Sequence, residues 1–245
     1  HPMIRRNGEL VPVTWDEAII HVTNGFSRII KEYGPGAIAF YGGAANFTEE
    51  YYLINKLMKA ASGTNNVECT ARLCMASSAI GFISTLGADA PPTCYADIED
   101  ADLFFIAGNN MAVSLPVLFR RICAARIKNS AKIIVVDPRR SETASVADIH
   151  LQIKPGTDVA LNNALAHILL KEGFIHEEIV EHYTTGLRDL KDILKEYPPS
   201  RVAKITGCTE KQIIETARII GQAKAMMTFW FQGYNQSTQA VFKNN

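Results

Sequence analysis

Polar residues that could bind a nucleotide follow two consecutive apolar segments of the chain. Gly108, Asn109 and Asn110 come directly after the run LFFIA, and Asp137 and Arg139 follow the run KIIVV. A glycine lets the backbone approach a phosphate or a ring closely, an acidic residue suits a ribose or a base edge, and an arginine suits a pyrophosphate. Each loop alone is equally consistent with ordinary turn chemistry. Two such loops after consecutive strands of one sheet favour a bound nucleotide.

A third segment, IKPGTDVAL, places Gly156, Thr157 and Asp158 at the start of a predicted helix. The Asp158 carboxylate could accept two parallel N–H donors from the edge of a guanine base. Equally, Thr157 or Asp158 could cap the helix by accepting a bond from a backbone N–H. The residues alone leave both interpretations open. Because the chain has no G-x-G-x-x-G motif, a nicotinamide or flavin dinucleotide held in the usual way is disfavoured.

Cys74, within the stretch TARLCMASSAIGF, could be a packed side chain, a redox thiol or a ligand to a metal. Free cysteines are most often buried packing residues. The number of cysteines is odd and no two are spaced as C-x-x-C, which argues against a disulfide framework and against a self-contained zinc or iron–sulfur site. Such cysteines suit a reducing compartment, so we predict a cytoplasmic protein. The five are Cys69, Cys74, Cys94, Cys123 and Cys208.

The overall charge and the apolar runs exclude several classes of partner. The 245 residues include 25 basic and 25 acidic side chains, so no electrostatic argument points to nucleic acid or to an anionic membrane. The longest apolar run, AKAMMTFWF, is shorter than the ~18 residues that a membrane-spanning helix needs. We therefore expect a small-molecule substrate, no nucleic acid and no membrane insertion of this segment.

Apolar runs alternate with amphipathic segments along the whole chain. A capping box at Thr14 and Glu17, followed by apolar residues at helical spacing, predicts a helix that ends at Gly34. Repetition of this pattern predicts an α/β protein with parallel sheets covered by helices on both faces, Rossmann-like, in two adjoining lobes. We expect residues 1–69 to form the first lobe, rejoined by residues 226–245. Residues 70–225 then form a dinucleotide-binding domain, with ligands outside the carboxyl ends of its strands.

Several stretches together resemble the molybdopterin oxidoreductases of the dimethyl sulfoxide reductase superfamily, in the family's order. The resemblance implies a molybdenum or tungsten atom held by two molybdopterin guanine dinucleotides and by one protein side chain, which matches Cys74. A soft thiolate suits such a sulfur-ligated metal. The stretches are PVTWDEAI, GTNNVECTARLCMASSAIGF, APPTCYADIEDADLFFIAGNNM, PVLFRRI, KIIVVDPRRSETASVADIHLQIKPGTDVAL and GYNQSTQ.

The same resemblance implies roles for the loop residues. The segment Gly108–Asn110 matches the loop that holds the pterin dinucleotide, and Asp137 and Arg139 match the loop after the next strand. Gly156 and Asp158 match the guanine-binding turn, and Gln236 matches a residue beside the pterin. The family's 4Fe–4S cluster should precede residue 1 and its cap domain should follow residue 245. Both ends of the chain look cut, so we expect a central fragment that is inactive by itself.

The residue after the predicted metal ligand separates two branches of the family. Formate dehydrogenases typically carry a histidine there, positioned for proton handling, whereas this chain has Met75. The stretches RLCMASS and PPTCYADIE resemble nitrate reductases, so we predict reduction of nitrate to nitrite with an electron-transfer protein as partner. GTNNVECTARLC also resembles the formate enzymes, and Leu115 replaces a histidine usual in both branches, so formate oxidation is the alternative.

Two hypotheses outside this family are weaker. A nicotinamide-dependent dehydrogenase domain is disfavoured by the missing glycine motif and by the lack of a catalytic His or Lys arrangement. A non-catalytic α/β interaction domain would leave Cys74 as a packing residue.

Overall fold

The computed structural model describes residues 1–236, and the chain divides into two compact units, His1–Ala76 and Ser77–Asn245. The first unit opens with a hairpin of two antiparallel strands, β1 (Met3–Arg6) and β2 (Glu9–Pro12). Its two-residue turn has positive φ at both positions, 51° at Asn7 and 91° at Gly8. Asn-Gly is the strongest short hairpin signal because both residues tolerate positive φ. This hairpin was not among the elements predicted from the sequence.

The long first helix, α1 (Trp15–Tyr33), begins and ends where the sequence predicts. The Thr14 hydroxyl accepts a bond from the backbone N–H of Glu17 at 3.2 Å, and Gly34 ends the helix with φ of 81°. The Glu17 carboxylate pairs with the Arg6 guanidinium. Of the two bonds of the predicted capping box, the structure therefore shows the one made by Thr14. The threonine satisfies one of the helix's orphan N–H groups.

The rest of the first unit is a short parallel pair of strands with flanking helices. Strand β3 pairs in parallel with β4 in the register Tyr41 to Glu68. Helix α2 continues directly into a π-helical turn at Lys56–Ala61. The elements are β3 (Phe40–Gly42), α2 (Thr48–Asn55), β4 (Val67–Cys69) and the single turn α3 (Ala71–Cys74).

The second unit is built on one four-stranded parallel sheet. Its strands are β5 (Leu103–Ala107), β6 (Lys132–Val136), β7 (Ile149–Leu151) and β8 (Met226–Trp230). They lie in the order β7-β6-β5-β8, and all neighbouring pairs are parallel. The helices are α4 (Ala76–Leu86, which begins at the boundary between the units), α5 (Met111–Ser114), α6 (Pro116–Asn129), α7 (Glu142–Ser145), α8 (Asp158–Lys171), α9 (Glu177–Tyr183), α10 (Leu187–Leu194), α11 (Pro199–Thr206), α12 (Glu210–Gln222) and α13 (Gln232–Asn235).

Helices cover both faces of this sheet, as predicted. Leu103 and Phe105 face the layer of α8, α11 and α12, and pack in one cluster with Leu161 and Ile213. The intervening Phe104 faces the opposite layer, together with Ile122 of α6 and other buried side chains. Because successive strand residues point to opposite faces, burial on both sides requires a continuous apolar run, and β5 is buried at all five positions.

Strand β8 departs from the predicted division of the chain. Residues 226–245 were expected to rejoin the first lobe, but Phe229 pairs with Ile106 and β8 extends the sheet of the second unit. The Asp102 carboxylate also accepts bonds from the N–H groups of Lys224 and Ala225, each at 3.0 Å, at the start of the strand. The structure divides the chain at Ala76 and Ser77, whereas residue 69 was expected.

Within residues 1–236, no helix combines the length and the apolar character needed to span a lipid bilayer.

Candidate functional site at the carboxyl edge of the sheet

The loops predicted to bind a nucleotide emerge from one edge of the four-stranded sheet. Gly108 follows β5, Asp137 follows β6, and the turn at Gly156 comes soon after β7. The chain runs from β5 outward to β7 and then returns to the other side of β5 as β8. This change of direction places a switch point between β5 and β8. In open parallel sheets ligands bind outside the strand ends at such a point.

At the switch point the backbones of two glycines touch. The Gly233 N–H donates to the Gly108 carbonyl at 3.1 Å, and the Gly108 N–H donates to the Val136 carbonyl at 2.9 Å. A Cβ on Gly108 would lie 2.7 Å from the backbone nitrogen of Tyr234, and the φ of Gly108 is +57°. Both the conformation and the space therefore require glycine, and the ends of β6, β5 and β8 are joined through this residue.

The two asparagines after Gly108 hold the loop in place. Asn109 is buried, and its Oδ1 accepts a bond from the Ser114 hydroxyl at 3.3 Å. The Asn110 amide donates to the Glu142 carboxylate at 2.8 Å and accepts from the Thr143 hydroxyl at 2.9 Å. Asn110 thus connects the β5 loop to α7, a contact that was not predicted from the sequence. Its predicted contact with a cofactor remains a prediction.

Glu142 is a charged group of this edge that sequence reasoning missed. Its own backbone N–H, the Asn110 amide and then the positive charge of Arg139 hold the pKa of the carboxyl below its usual value. Asn110 and Glu142 are 32 residues apart. Only the pairing of β5 with β6 brings their loops together, so no local sequence signal could have identified the contact.

The loop after β6 is an Asx turn with two exposed arginines. The Asp137 carboxylate accepts a bond from the Arg139 N–H at 2.8 Å, which fixes the turn locally. The Nε2 atom of His150 lies 2.9 Å from the Asp137 carbonyl oxygen, and joins this loop to β7. Arg139 and Arg140 are exposed, so their guanidinium groups remain accessible to an anion.

Asp158 lies at the first position of α8 and is half-buried. The pKa of its carboxyl is raised above the usual value, chiefly by burial. The Asp158 backbone N–H partly opposes this rise, and the nearby negative charge of Asp137 increases it. Thr157, at the N-cap, donates its hydroxyl to the Lys154 carbonyl at 2.6 Å and makes no side-chain capping bond. Two partly buried carboxyl groups near each other favour a ligand that brings N–H donors.

Gly156, Gln236 and Cys74 complete the set of predicted site residues. Gly156 has φ of +78° and open space around its Cα, so it serves the turn by its conformation. Gln236 is exposed just after α13, and its N–H donates to the Gln232 carbonyl at 3.0 Å. In the first unit, Cys74 is half-buried at the end of α3, and its N–H donates to the Thr70 carbonyl at 3.0 Å.

A separate apolar cavity of about 500 Å³ lies beside the edge strand β8. Among the residues that the structure describes, its lining includes Phe82, Cys94, Leu118, Phe229 and Trp230 and carries no charged side chain. The polar and charged groups that could recognise a nucleotide lie instead at the strand ends. We therefore locate the candidate site at the carboxyl edge of the sheet.

Across the described part of the chain, His, Cys, Asp and Glu side chains nowhere gather in groups of three or more that could hold a metal ion.

Asp158→Asn should stabilise the ligand-free protein at neutral pH. The raised pKa means that ionisation of Asp158 opposes folding, an effect that is absent below pH ~4 and complete above the folded-state pKa. Asparagine cannot ionise, so we expect a gain of about 0.5–1 kcal/mol at pH 7 that vanishes at pH 3. Thermal unfolding of the intact ligand-free protein across this range measures the gain. A gain that is equal at both pH values contradicts the electrostatic explanation.

The chain matches a family of known proteins over nearly its whole length. The family model described as molybdopterin oxidoreductase matches residues 1–243. A nitrate reductase of Symbiobacterium thermophilum is 41% identical over 254 residues, which take in 100% of this chain and 34% of that protein. A periplasmic nitrate reductase of Desulfovibrio desulfuricans is 39% identical, again over 100% of this chain and 34% of the relative.

Two further similarities involve other named activities. Formate dehydrogenase H of Escherichia coli is 38% identical, over 98% of this chain and 34% of that protein. Among solved structures, acetylene hydratase from Pelobacter acetylenicus superimposes with a TM-score of 0.76 at 25% identity, over 96% of this chain and 32% of that chain. The chain thus spans about a third of the length of the relatives that it matches.

Proposed function

Because the chain belongs to the molybdopterin oxidoreductase family, we propose that it forms the dinucleotide-binding part of an enzyme that reduces nitrate to nitrite. Membership of the family implies a molybdenum or tungsten pterin cofactor. When bound, that cofactor supplies two-electron chemistry: nitrate takes up two electrons and two protons, and leaves as nitrite and water. The residues of this chain bind and orient the cofactor.

We propose the guanine dinucleotide form of this cofactor. A guanine edge offers parallel N–H donors, and Asp158 is a half-buried carboxyl whose unfavourable ionisation such donors would relieve. The exposed guanidinium of Arg139 can pair with a pyrophosphate, as arginine does elsewhere in bidentate fashion. Gly108 and Gly233, whose backbones are in contact at the switch point, add no side chain there. The positive charge of Arg139 suits the negative pyrophosphate, and the Asp158 carboxylate suits the N–H donors of the guanine base.

We propose that Cys74 is the protein ligand of the metal. Thiolates suit sulfur-rich coordination of molybdenum or tungsten. Cys74 stands at the position that matches the ligand in the family's motif RLCMASS. A 4Fe–4S cluster bound outside residues 1–245 and an electron-transfer protein would deliver the electrons.

The observation that carries nitrate as the substrate is Met75. Oxidation of formate to CO2 releases a proton, and a basic residue next to the metal ligand can accept it. Cleavage of an N–O bond in nitrate removes no proton from the substrate, and the thioether of Met75 cannot accept one. Formate oxidation is the second candidate, because two formate dehydrogenases are 37% and 38% identical to the chain over 98% of its length.

The proposed function can be tested by the cofactor content of the protein and by the reaction that it catalyses. We expect the intact protein, purified from cells supplied with molybdate, to contain molybdenum and to release a guanine nucleotide on acid treatment. It should oxidise reduced viologen with nitrate, and should not reduce oxidised viologen with formate. Formate oxidation without nitrate reduction would overturn the nitrate proposal in favour of the alternative. Absence of molybdenum, tungsten and guanine nucleotide would overturn the cofactor proposal itself.

A further inference from the structure

Three consecutive residues after β8 connect three different parts of the second unit. Gly233 bonds to the β5 loop through the Gly108 carbonyl, as described above. The next residue, Tyr234, accepts a hydrogen bond on its phenol oxygen from the Asn162 amide in α8. Asn235 donates from its side-chain amide to the Ser78 hydroxyl in α4 at 3.0 Å. We call the segment Gly233–Asn235 the connector.

The polar groups of the connector are buried, which makes their geometry specific. Asn235 is 2% exposed and Ser78 is 3% exposed, and Tyr234 is 8% exposed. Burial, partly opposed by the Asn162 bond and increased by the charge of Asp158, raises the pKa of Tyr234 to about 12, so the phenol stays neutral. Buried polar groups are costly to leave without partners, so each bond holds its element in a defined place.

One arm of the connector leads to the predicted guanine turn. Asn162 lies one helical turn beyond Asp158, on the helix whose first residue is Asp158 itself. The bond that Asn162 donates to Tyr234 therefore fixes the first turns of α8 against the end of β8. A shift of the connector would move the carboxyl that we propose for the guanine edge.

The other arm leads to the helix that follows Cys74. Three contacts hold this part of α4: the Asn235–Ser78 bond, a bond of 3.4 Å from the Ser77 hydroxyl to the Asn235 carbonyl, and ring packing of Phe82 on Trp230 at 5.6 Å between centroids. Cys74 precedes Ser77 by three residues along the chain. Three residues of chain reach at most about 11 Å, so the backbone of Cys74 is tethered to the anchored helix.

We propose that the connector fixes the start of α4 and, through the short stretch of chain that follows Cys74, restrains the backbone of this metal ligand, with Asn235 and Ser78 as the positioning residues. This inference rests on the proposed roles of Cys74 and of the strand-edge loops. Neither Asn235 nor Ser78 needs to touch the cofactor. Loss of their bond leaves the dinucleotide loops complete and releases the first turn of α4.

The test compares variants of the intact, molybdate-loaded protein. Asn235→Ala and Ser78→Ala each remove one partner of the bond, and Tyr234→Phe removes only the phenol oxygen of the other arm. Thr85→Val is the matched control, because the Thr85 hydroxyl lies in the same helix and bonds to the Gly81 carbonyl of that helix. The readouts are the metal and guanine nucleotide contents, the EPR spectrum of the metal, and kcat and KM for nitrate.

We expect Asn235→Ala and Ser78→Ala to keep wild-type metal and nucleotide contents but to shift the EPR spectrum of the metal. Their kcat should fall by about 10–100-fold, as for other residues that orient a metal ligand, with little change in KM. The double variant should lose no more than Asn235→Ala alone, because both remove the same bond. Tyr234→Phe should lower nucleotide content on dilution without shifting the spectrum, and Thr85→Val should resemble the wild type.

Three results would decide against the connector. If metal-loaded Ser78→Ala has an unchanged EPR spectrum and an unchanged kcat, the connector proposal is overturned. Ser78→Ala also serves as the test if Asn235→Ala does not fold, because it deletes a single atom and alanine favours the helix. An equal effect of Thr85→Val shows a general disturbance of α4 and overturns it too. A wild-type protein without metal and guanine nucleotide refutes the proposed function, and the inference with it. The two kinds of failure can be told apart, because the first two results require a wild-type protein that contains metal and guanine nucleotide.

Discussion

Cys74→Ala should abolish nitrate reduction by the intact protein. We expect activity to fall by more than about 100-fold, because loss of a residue that only supports a metal ligand already costs up to about 100-fold. The reason is the loss of the thiolate that we propose to hold the metal. The fold should tolerate the change, because Cys74 is half-buried and the bond from its backbone N–H to the Thr70 carbonyl is kept. We expect a change of less than about 1 kcal/mol in the free energy of unfolding. Activity assays and thermal unfolding measure the two effects.

Cys69→Ala is the matched control for this prediction. Cys69 is also half-buried, lies five residues earlier in β4, and has no proposed contact with the metal. This variant should retain activity while it removes the same thiol group. Retained activity in Cys74→Ala would remove Cys74 as the metal ligand. A collapse of stability in Cys74→Ala alone would instead identify the residue as a packing cysteine.

Gly108→Ala should have the largest effect on the stability of the second unit and on cofactor retention. The new Cβ would lie 2.7 Å from the Tyr234 nitrogen and 2.8 Å from the Gly233 carbonyl carbon, both backbone atoms that cannot rotate away. Left-handed backbone strain and overpacking together should cost about 2–4 kcal/mol. The ends of β5 and β8 must separate to accommodate the methyl group. Urea unfolding and the guanine nucleotide content of the purified protein measure these losses.

Gly173→Ala separates strain from crowding. Gly173 also has a positive φ, +77°, but a Cβ there would meet no atom within 4 Å. This variant should lose only the conformational part, about 1 kcal/mol, and should keep its nucleotide. If the two variants lose equal stability, the backbone contact between Gly108 and Gly233 is not what requires glycine at position 108.

The quoted motifs predicted the family, and the family match over residues 1–243 confirms that prediction. They also predicted a parallel sheet with helices on both faces, which the second unit confirms. These features are readable because burial on two faces imposes continuous apolar runs, and because glycine and polar residues must follow where strands end. The sequence placed Gly108 at a strand end by this reasoning, without knowledge of its neighbours.

What the chain could not reveal by itself was which strand lies beside which. The assignment of residues 226–245 to the first lobe was wrong for β8, because an apolar strand carries no local mark of the sheet that it joins. The partners of Asn110 and Tyr234 depend on that strand order, since each bond joins residues 32 or 72 positions apart.

The sequence alone therefore determined the family, the alternation of strands and helices in the second unit, and the residue types available for chemistry at the strand ends. Each of these depends on local periodicity and on side-chain chemistry, which are written along the chain. Only the tertiary structure decided that Asp158 is half-buried near Asp137, that Gly108 touches Gly233, and that Asn235 anchors α4. Those facts depend on strand order and on burial, which arise when segments far apart in the chain pack together.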